Sequence, residues 1–421
     1  FGGYKLFSAA HRDRLPMIYV GGNDGMLHGF SAVNGEEKIA YVPKGVMADL
    51  PSLSAPSYTH RYFVDGSPFT GDLKVGAGNT AADWRTYLVG TLAAGGKGYF
   101  VLDVTAPGNK SGTISSNFAT INAASLVVLD RTINASEPVA AGSDDADIGH
   151  IFAPPVLDES NPFKATQVVK LNDNRWAVVM GNGYNSKNER PVLLIQYLDS
   201  TNEVNGVKEL KRIVATGTQV PKSPVVPADA NVVANGLSAP RLVDINSDGR
   251  MDVAYAGDLK GNLWKFDLTS KTAADWGVAV WGGTNTTPCT NSAKECTPLF
   301  TASHSGKRQG ITAAPTVKAN DRGAGGLMVA FGTGVNFNDD DGKSTDVQSV
   351  YSVLDNTRYK LDNSGKLLEV DTANGVGAIP TVVTINDLVQ QQLSSATAIA
   401  GQGKSSARGF WNVTQNNVTY V

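Results

Sequence analysis

The stretch Val253-Ala-Tyr-Ala-Gly-Asp-Leu-Lys-Gly-Asn-Leu-Trp-Lys-Phe-Asp267 decides the fold. It contains a short apolar run, a turn rich in glycine, and a second apolar run that ends at an aspartate. Short apolar runs bounded by Gly, Asn and Asp predict β-strands joined by tight turns. The stretch is therefore predicted to be a β-hairpin.

Four other parts of the chain repeat this plan of strand, glycine-rich turn and returning strand: residues 17–30, 86–103, 176–197 and 327–355. A unit that recurs along a chain is typical of a repeat architecture, and β-propeller blades of about 40–50 residues fit when the loops are long. We therefore expect an all-β chain that forms a single β-propeller domain over residues 1–421, with long loop insertions. A pair of β-sandwiches is the alternative, but it needs more uniform short turns.

Segments outside these hairpins carry weaker signals. The start at Phe1 is interpreted as a strand in a fragment of a longer secreted protein whose N-terminal region lies upstream. Residues 106–147 are interpreted as an insertion, and residues 221–230, which contain three prolines, as a linker between blades. The insertion ends in three carboxylates that we interpret as a solvated acidic face: Asp144, Asp145 and Asp147.

One helix is predicted, over residues 384–396. Thr384 or Asn386 is placed to cap its N-terminus. Three apolar residues lie on one side of it at helical spacing: Leu388, Val389 and Leu393.

The composition excludes two classes of partner. The chain has 421 residues, of which 18% are charged, with 36 Lys and Arg against 39 Asp and Glu. A nucleic-acid binder needs a basic surface, and a membrane anchor needs a polybasic segment or about 18 consecutive apolar residues. We therefore expect neither nucleic acid binding nor direct membrane insertion.

The two cysteines, Cys289 and Cys296, are separated by six residues. This spacing is too wide for a Cys-x-x-Cys redox pair, and a metal site needs further ligands, for which His304 alone is a poor candidate. We expect a disulfide that closes a surface loop and favours an extracytoplasmic location. Two free thiols in a reducing compartment are the alternative.

The most specific motif is Leu242-Val-Asp-Ile-Asn-Ser-Asp-Gly-Arg-Met-Asp-Val253. Calcium takes 6–8 oxygen ligands at about 2.3–2.6 Å, and a glycine at position 6 of a binding loop allows a sharp turn around the ion. Gly249 stands at that position. The oxygen-bearing side chains at positions 1, 3, 5 and 9 are Asp244, Asn246, Asp248 and Asp252.

Two residues of this loop have special roles in the predicted site. Arg250, at position 7, is expected to give its backbone carbonyl while its side chain points away. Asp252 is expected to give the last, bidentate carboxylate, because Tyr255 stands where an EF-hand has Glu. The donors are expected between two outer-surface strands, and the loop is expected to open without a cation because its carboxylates repel one another. Magnesium fits less well, since it demands a tight octahedron.

The loop at residues 244–252 has an alternative interpretation, and a second loop shows a weaker form of the same pattern. The loop at residues 244–252 is also compatible with an Asx-rich turn that holds no ion. A second acidic loop, residues 336–346, contains Asn338, Asp340 and Gly342 at similar spacing, but its later ligands are out of register and we interpret it as a solvated loop.

Catalytic patterns are not found in the sequence. No two of the five histidines have metal-ligand spacing on a helix, and no Gly-x-Ser-x-Gly motif occurs. Three tryptophans are interpreted as packing residues rather than a ligand cage: Trp264, Trp281 and Trp411.

Six motifs follow one another along the chain: Gly22-Asn-Asp-Gly-Met-Leu-His-Gly-Phe30, Phe63-Val-Asp-Gly-Ser67, Gly95-Gly-Lys-Gly-Tyr99, Gly181-Asn-Gly-Tyr-Asn185, Gln309-Gly-Ile-Thr312 and Phe331-Gly-Thr-Gly334. Together with the hairpin at residues 255–267, they resemble the C-terminal domain of the PilC/PilY family, the tip-associated adhesins of type IV pili. The resemblance covers most of the chain.

The resemblance implies a modified seven-bladed β-propeller with one calcium loop, whose ligands map onto Asp244, Asn246, Asp248, the Arg250 carbonyl and Asp252. It implies a virulence-related protein of Gram-negative bacteria that is exported through the periplasm and associated with the outer membrane, at the cell surface or pilus tip. Family members promote pilus assembly by opposing retraction, support twitching motility and mediate host-cell adhesion. The implied partners are minor pilins or pilin at the pilus tip and a host-cell surface receptor.

The sequence thus favours a non-enzymatic, calcium-responsive module for adhesion and pilus biogenesis. Two alternatives stay open. One is a quinone-dependent dehydrogenase, because such propellers also carry calcium and similar Gly-Asn-Asp-Gly turns, although no cofactor pocket can be assembled from the sequence. The other is a structural scaffold whose calcium is static.

Overall fold

The computed structural model describes residues 2–112, 116–118, 123–134, 139–140, 142–161, 164–199, 208–215, 235–279, 297–320, 326–337, 340–363, 365, 368–371, 383–388, 393–395, 411–415 and 418–420. The chain divides into two compact units, Phe1–Val382 and Val383–Val421. Within the described ranges, no helix is long and apolar enough to cross a membrane.

Helices are few in this part of the chain, as predicted. The α-helices are α1 (Gly2–Ala10) and α2 (Ala123–Leu126). Short 3₁₀ helices span Lys44–Ser54, Ala81–Asp83, Ala93–Gly95, Asp144–Asp147, Ala273–Asp275, Asp341–Lys343 and Ile385–Asp387.

The described strands of the first unit form five main antiparallel sheets, in which, with one exception in the fourth, strands adjacent in sequence pair. Sheet 1 contains β1 (Met17–Gly21), β2 (Leu27–Ser31) and β3 (Glu37–Tyr41). Sheet 2 contains β4 (Phe69–Lys74), β5 (Trp84–Thr91), β6 (Tyr99–Asp103) and β7 (Val127–Asp130). Sheet 3 contains β8 (Val168–Lys170), β9 (Trp176–Gly181), β10 (Val192–Tyr197) and β11 (Leu210–Val214).

Sheet 4 contains β12 (Arg241–Val243), β13 (Val253–Gly257) and β14 (Asn262–Asp267), with β15 (Gly277–Val278) and β16 (Phe300–Thr301) both pairing with β14. A small ribbon, β17 (Ser303–His304) and β18 (Lys307–Arg308), precedes sheet 5. Sheet 5 contains β19 (Thr316–Ala319), β20 (Leu327–Gly332) and β21 (Val350–Asp355), and is followed by a second ribbon, β22 (Tyr359–Leu361) and β23 (Leu368–Val370). The second unit contains β24 (Leu393–Ser395), β25 (Trp411–Gln415) and β26 (Val418–Tyr420).

All five predicted hairpins are confirmed. They are β1–β2, β5–β6, β9–β10, β13–β14 and β20–β21, each an antiparallel pair. The fold is therefore built on the units that the sequence indicates.

The sheets pack face to face, which explains why the central strands are apolar on both faces. In β9, Ala177 and Val179 belong to a core cluster shared with sheet 4, whereas Val178 and Met180 belong to a cluster shared with sheet 2. Successive side chains of a strand point to opposite faces. A strand between two sheets therefore has a continuous apolar run instead of an alternating one. The packing role predicted for Trp264 is confirmed, because this side chain lies in the cluster shared by sheets 3 and 4.

The glycine-rich turns of sheets 3 and 4 both contact the backbone segment that leads into sheet 4. Gly183 N–H, in the turn of sheet 3, donates to Leu237 O at 3.0 Å, and Ser238 N–H donates to Gly257 O in the turn of sheet 4 at 2.9 Å. A Cβ on Gly181 would lie only 1.9 Å from Ser238 O. Glycine is required there because two backbones approach closely, not only because the chain turns.

Two predictions about the chain ends are wrong. The start of the chain is helix α1 rather than a strand, because Phe7 is buried and the Tyr4 ring packs 4.8 Å from that of Trp84, on the same side of a helix. In the described residues of segment 384–396, Ile385–Asp387 form a 3₁₀ turn and Leu393–Ser395 form strand β24. Thr384 precedes that turn, and its N–H and hydroxyl donate to Asp387 Oδ2 at 2.8 and 2.6 Å, but pairing of β24 with β25 overrides the helical pattern.

The interpretation of residues 106–147 also needs correction. This segment contains β7, the fourth strand of sheet 2. Asp147 at its end is not solvated: its side chain is fully buried and forms ion pairs with Arg190 and Arg212. The predicted linker at residues 221–230 lies outside the described residues, as do Trp281 and the Trp411 side chain.

Candidate metal centre

The predicted calcium loop connects the two strands of a hairpin. Strands β12 and β13 pair with Val243 opposite Val253, so that residues 244–252 form the loop between them. Strand β13 is buried along its whole length. The expectation of two outer-surface strands is therefore wrong, because sheet 4 packs between its neighbours and the loop starts from the core.

The side chains at positions 1 and 3 organise the loop. Asp244 accepts hydrogen bonds from Asp248 N–H at 3.1 Å and from Gly249 N–H at 2.7 Å, and Asn246 Oδ1 also accepts from Asp248 N–H at 3.1 Å. Ser247 and Gly249 have φ angles of +60° and +85°, in the left-handed region. The loop thus makes the sharp reversal for which glycine at position 6 is suited.

Asp252 closes the loop from the buried side. Its Oδ1 accepts from the Asn172 side-chain amide at 3.0 Å, and its Oδ2 accepts from Ile245 N–H at 2.8 Å. Burial raises the pKa of Asp252 to about 6, and the charges of Asp244 and Asp248 act in the same direction. A cation among these carboxylates would favour their ionised forms.

The prediction that the Arg250 side chain points away from the loop is wrong. Its Nη1 lies 2.8 Å from Asp248 Oδ2, and its Nη2 donates to Asn174 Oδ1 at 3.0 Å. The reason is electrostatic: the guanidinium makes a charge-assisted hydrogen bond to the Asp248 carboxylate.

The turn between β8 and β9 supports the loop from sheet 3. The Asn172 side-chain amide donates to Met251 O, Asp252 Oδ1 and Leu268 O at 3.0–3.2 Å. The sequence analysis missed Asn172 and Asn174, because a polar Asn-Asp-Asn turn is also an ordinary hairpin connection. The buried position of Asn172 follows only from the packing of sheet 3 on sheet 4.

The donor set of the loop fits calcium, although its present conformation is not a closed cage. In the described part of the chain, no three His, Cys, Asp or Glu side chains are arranged to hold a metal ion. The candidate donors are nevertheless all oxygens, which hard cations prefer. Among these donors, Asp248 is the carboxylate that pairs with a cationic side chain, Arg250.

The second acidic loop is arranged differently. Asp340 lies 3.0 Å from Lys343 and Asp346 lies 2.7 Å from Lys307, and the side chain of Asp340 is 91% exposed. Two described carboxylates of residues 336–346 thus pair with lysines at the surface, and a third, Asp341, accepts a hydrogen bond from Phe337 N–H at 2.7 Å. Asn338 lies outside the described residues, as do Cys289 and Cys296 of the predicted disulfide.

The sheets of the first unit are antiparallel meanders that stack face to face in chain order. Sheets arranged in this way are the blades of a β-propeller, so the first unit belongs to the β-propeller class. The chain belongs to the PilY1 β-propeller family: the sequence profile of the PilY1 beta-propeller domain matches residues 1–375. The membership predicted from the six motifs is confirmed, and so is the all-β propeller fold.

Individual relatives agree with this assignment. The type IV pilus biogenesis factor PilY1 of Pseudomonas aeruginosa strain PAO1 is 37% identical over 365 residues, which are 84% of this chain and 26% of that protein. A PilY1 homolog of Xylella fastidiosa strain Temecula1 is 32% identical over 352 residues, 84% of this chain and 22% of that protein. The chain spans about a quarter of the length of these curated relatives.

A solved structure is also similar. The crystal structure of the Pseudomonas aeruginosa PilY1 C-terminal domain matches with a TM-score of 0.59 and 30% identity, over 93% of this chain and 66% of that chain. These two relatives are named as type IV pilus biogenesis factors.

Proposed function

We propose that this chain is a non-enzymatic, calcium-binding module of a type IV pilus biogenesis factor. The observation that carries the pilus role is the family membership over residues 1–375. The observation that supports calcium is the all-oxygen donor set of the loop at residues 244–252, with its buried carboxylate Asp252.

In this proposal the ion is held by four side chains and one carbonyl: Asp244, Asn246, Asp248, Asp252 and the Arg250 carbonyl. The ion supplies positive charge that neutralises the carboxylates. Asp252 is already fixed by Asn172, so the buried end of the loop is preformed. Asp248 supplies the movable end. Binding therefore orders the connection between β12 and β13, on the side where it contacts the β8–β9 turn.

In the whole protein, we propose that this module acts at the cell surface or pilus tip, in association with the outer membrane after export through the periplasm. Calcium binding favours pilus assembly by opposing retraction, and thereby supports twitching motility. The partners are minor pilins or pilin at the tip and, in adhesion, a host-cell receptor. A disulfide between Cys289 and Cys296 suits this extracytoplasmic location.

Calorimetric titration with calcium tests the site. The wild-type chain is expected to bind one ion, whereas Asp248→Ala is expected to lose at least about tenfold in affinity because a charged oxygen ligand is removed. Asp340→Ala, in the lysine-paired acidic loop, is the matched control and is expected to bind as the wild type does. Equal affinities for Asp248→Ala and the wild type would remove the proposal.

A second experiment separates a calcium switch from a static calcium scaffold. A ligand that binds only the folded chain at 100 times its Kd stabilises it by about 2.7 kcal/mol. For a switch, dialysis against a chelator should lower Tm reversibly, and full-length protein with Asp248→Ala should show altered surface piliation and twitching. A chain that keeps its calcium through dialysis supports the static scaffold instead.

The pilus role itself is tested by complementation. A strain that lacks the corresponding full-length protein should recover surface pili when the wild-type gene is supplied. Absorbance spectra after incubation with a quinone cofactor test the dehydrogenase alternative, and a bound-cofactor spectrum would contradict the non-enzymatic assignment.

A further inference from the structure

Arg250 engages both oxygens of a carboxylate that the proposed ion needs. Its Nη1 lies 2.8 Å from Asp248 Oδ2, and its backbone N–H donates to Asp248 Oδ1 at 2.9 Å. A guanidinium and a divalent cation on one carboxylate repel each other strongly at such short range. The side chain of Arg250 and the ion therefore compete for Asp248.

The competing position is tethered from the neighbouring sheet. Arg250 Nη2 donates to Asn174 Oδ1 at 3.0 Å. Asn174 is itself fixed in the β8–β9 turn, with a φ of +67° and a hydrogen bond from its N–H to Leu171 O at 3.0 Å. The guanidinium therefore bridges the turn of sheet 3 and the loop of sheet 4.

The tethered guanidinium is incompletely satisfied. Among the described residues, the buried Arg250 Nε has no hydrogen-bond partner. Lys170 is also near: burial lowers its pKa, and the positive charge of Arg250 adds to this effect. A buried donor without an acceptor and a crowded positive charge both favour release of Arg250 when another cation neutralises Asp248.

We propose that Arg250 is a built-in competitor of calcium, which neutralises Asp248 in the metal-free loop and leaves it when the ion binds. This inference rests on the proposed calcium site at residues 244–252. Two consequences follow. The affinity for calcium is lower than the donor set alone would give, and binding of the ion breaks the Arg250–Asn174 link between sheets 3 and 4.

Calcium titration of three variants of the 421-residue chain tests the competition. Arg250→Gln keeps the backbone carbonyl and removes the charge, so it is expected to bind calcium about tenfold more tightly than the wild type. Lys170→Gln removes a nearby charge that makes no hydrogen bond to Asp248 in the structure, and is expected to gain less than about threefold. Asn174→Gly keeps the left-handed backbone but removes the tether, and is expected to lie between them.

A melting curve gives a readout that is independent of the titration. In chelator, Arg250→Gln should melt below the wild type because Asp248 loses its partner, and saturating calcium should close this difference. The lower Tm in chelator and its recovery in calcium are expected for Arg250→Gln and not for Lys170→Gln.

The outcomes are distinguishable. If neither the wild type nor Arg250→Gln binds calcium, the proposed site itself fails, and the competition fails with it. If the wild type binds and Arg250→Gln binds equally or more weakly, only the competition is overturned. A gain for Lys170→Gln equal to that of Arg250→Gln would also overturn it, because the effect would then be one of general charge.

Discussion

Lys265 Nζ and Asp355 Oδ2 lie 2.6 Å apart between sheets 4 and 5, and each side chain is only 1% exposed. Asp355 Oδ2 also accepts from Tyr255 Oη at 2.5 Å, and Lys265 Nζ donates to Thr357 Oγ1 at 3.0 Å. Burial acts to raise the pKa of Asp355, but the Lys265 ammonium and the hydrogen bonds that the Thr357 and Tyr255 hydroxyls donate to this carboxylate hold it below its usual range. A buried, fully partnered ion pair thus joins two neighbouring blades.

Removal of Lys265 should therefore be strongly destabilising. Lys265→Met leaves a buried carboxylate without its counter-charge, and breaking such a pair typically costs about 3–5 kcal/mol of the free energy of unfolding. Urea denaturation measures the loss. The matched control is Lys360→Met, whose pair with Glu369 is about half exposed and is expected to cost less than about 1 kcal/mol.

A double variant checks the cause. Lys265→Met combined with Asp355→Asn removes both charges and keeps the carbonyl that accepts from Thr357, so it should recover much of the loss. Equal destabilisation by Lys265→Met and Lys360→Met would contradict this account.

Asp147 gives a second prediction, which depends on pH. Its side chain is 0% exposed and lies 2.8 Å from Arg190 Nε and 2.5 Å from Arg212 Nη1. Burial alone would raise the pKa of Asp147, but the hydrogen bonds and charge of Arg190, with Arg212, hold it below the usual value. Asp147→Asn is expected to lose about 3 kcal/mol of unfolding free energy at neutral pH.

The sign of the pH effect follows from the lowered pKa. The ionised Asp147 stabilises the fold fully above the unfolded carboxyl pKa of about 4, and this stabilisation is lost as the pH falls through the lower folded value. Urea denaturation at several pH values should therefore show the gap between the wild type and Asp147→Asn shrinking in acid. Asp145→Asn is the control, because that side chain is 41% exposed. A gap that stays constant with pH would argue against the ion pairs.

The buried ion pairs of Lys265 and Asp147 depend on contacts that the sequence analysis could not predict. The hairpins were predictable because alternation of apolar runs and glycine turns is local, and the loop at residues 244–252 was predictable because its donors are close in sequence. Asp147 was interpreted as solvated because its partners are 43 and 65 residues away. The contact of Asn172 with Asp252 spans 80 residues in the same way. Such contacts exist only once the sheets stack, and no local pattern encodes them.

The same stacking gives a prediction for the turn glycines. A Cβ on Gly181 would lie 1.9 Å from Ser238 O and 2.4 Å from Leu237 O, both backbone atoms of the segment that leads into the neighbouring sheet. Gly181→Ala should therefore push two blades apart. It should lower the free energy of unfolding by about 1–3 kcal/mol, as overpacking does. Gly332 ends the corresponding strand of sheet 5, and a Cβ there would meet no described atom within 4 Å. Gly332→Ala should be near neutral in thermal unfolding, and equal Tm losses for the two variants would refute the steric explanation.

Two histidines should titrate on opposite sides of the ordinary imidazole pKa of about 6.5. His28 Nδ1 lies 2.5 Å from Glu37 Oε1 and its Nε2 lies 2.8 Å from Asp24 Oδ2, and these carboxylates, Glu37 first, raise the pKa of His28. His150 is half-buried, and burial lowers its pKa although its Nδ1 lies 2.7 Å from Ala93 O.

The two shifts act on stability with opposite sign. Protonated His28 stabilises sheet 1 fully below the unfolded pKa, and this contribution is lost as the pH rises through the higher folded pKa. His150 stays neutral in the folded chain, so it begins to destabilise the fold as the pH falls below the unfolded pKa, where the unfolded chain takes up the proton first. NMR titration of the imidazole resonances between about pH 5 and pH 8, assigned with His28→Gln and His150→Gln, measures both midpoints. Midpoints on the same side of the ordinary value would show that one of these two environments is not as described. The substitution that leaves the pH dependence of the free energy of unfolding unchanged would identify which.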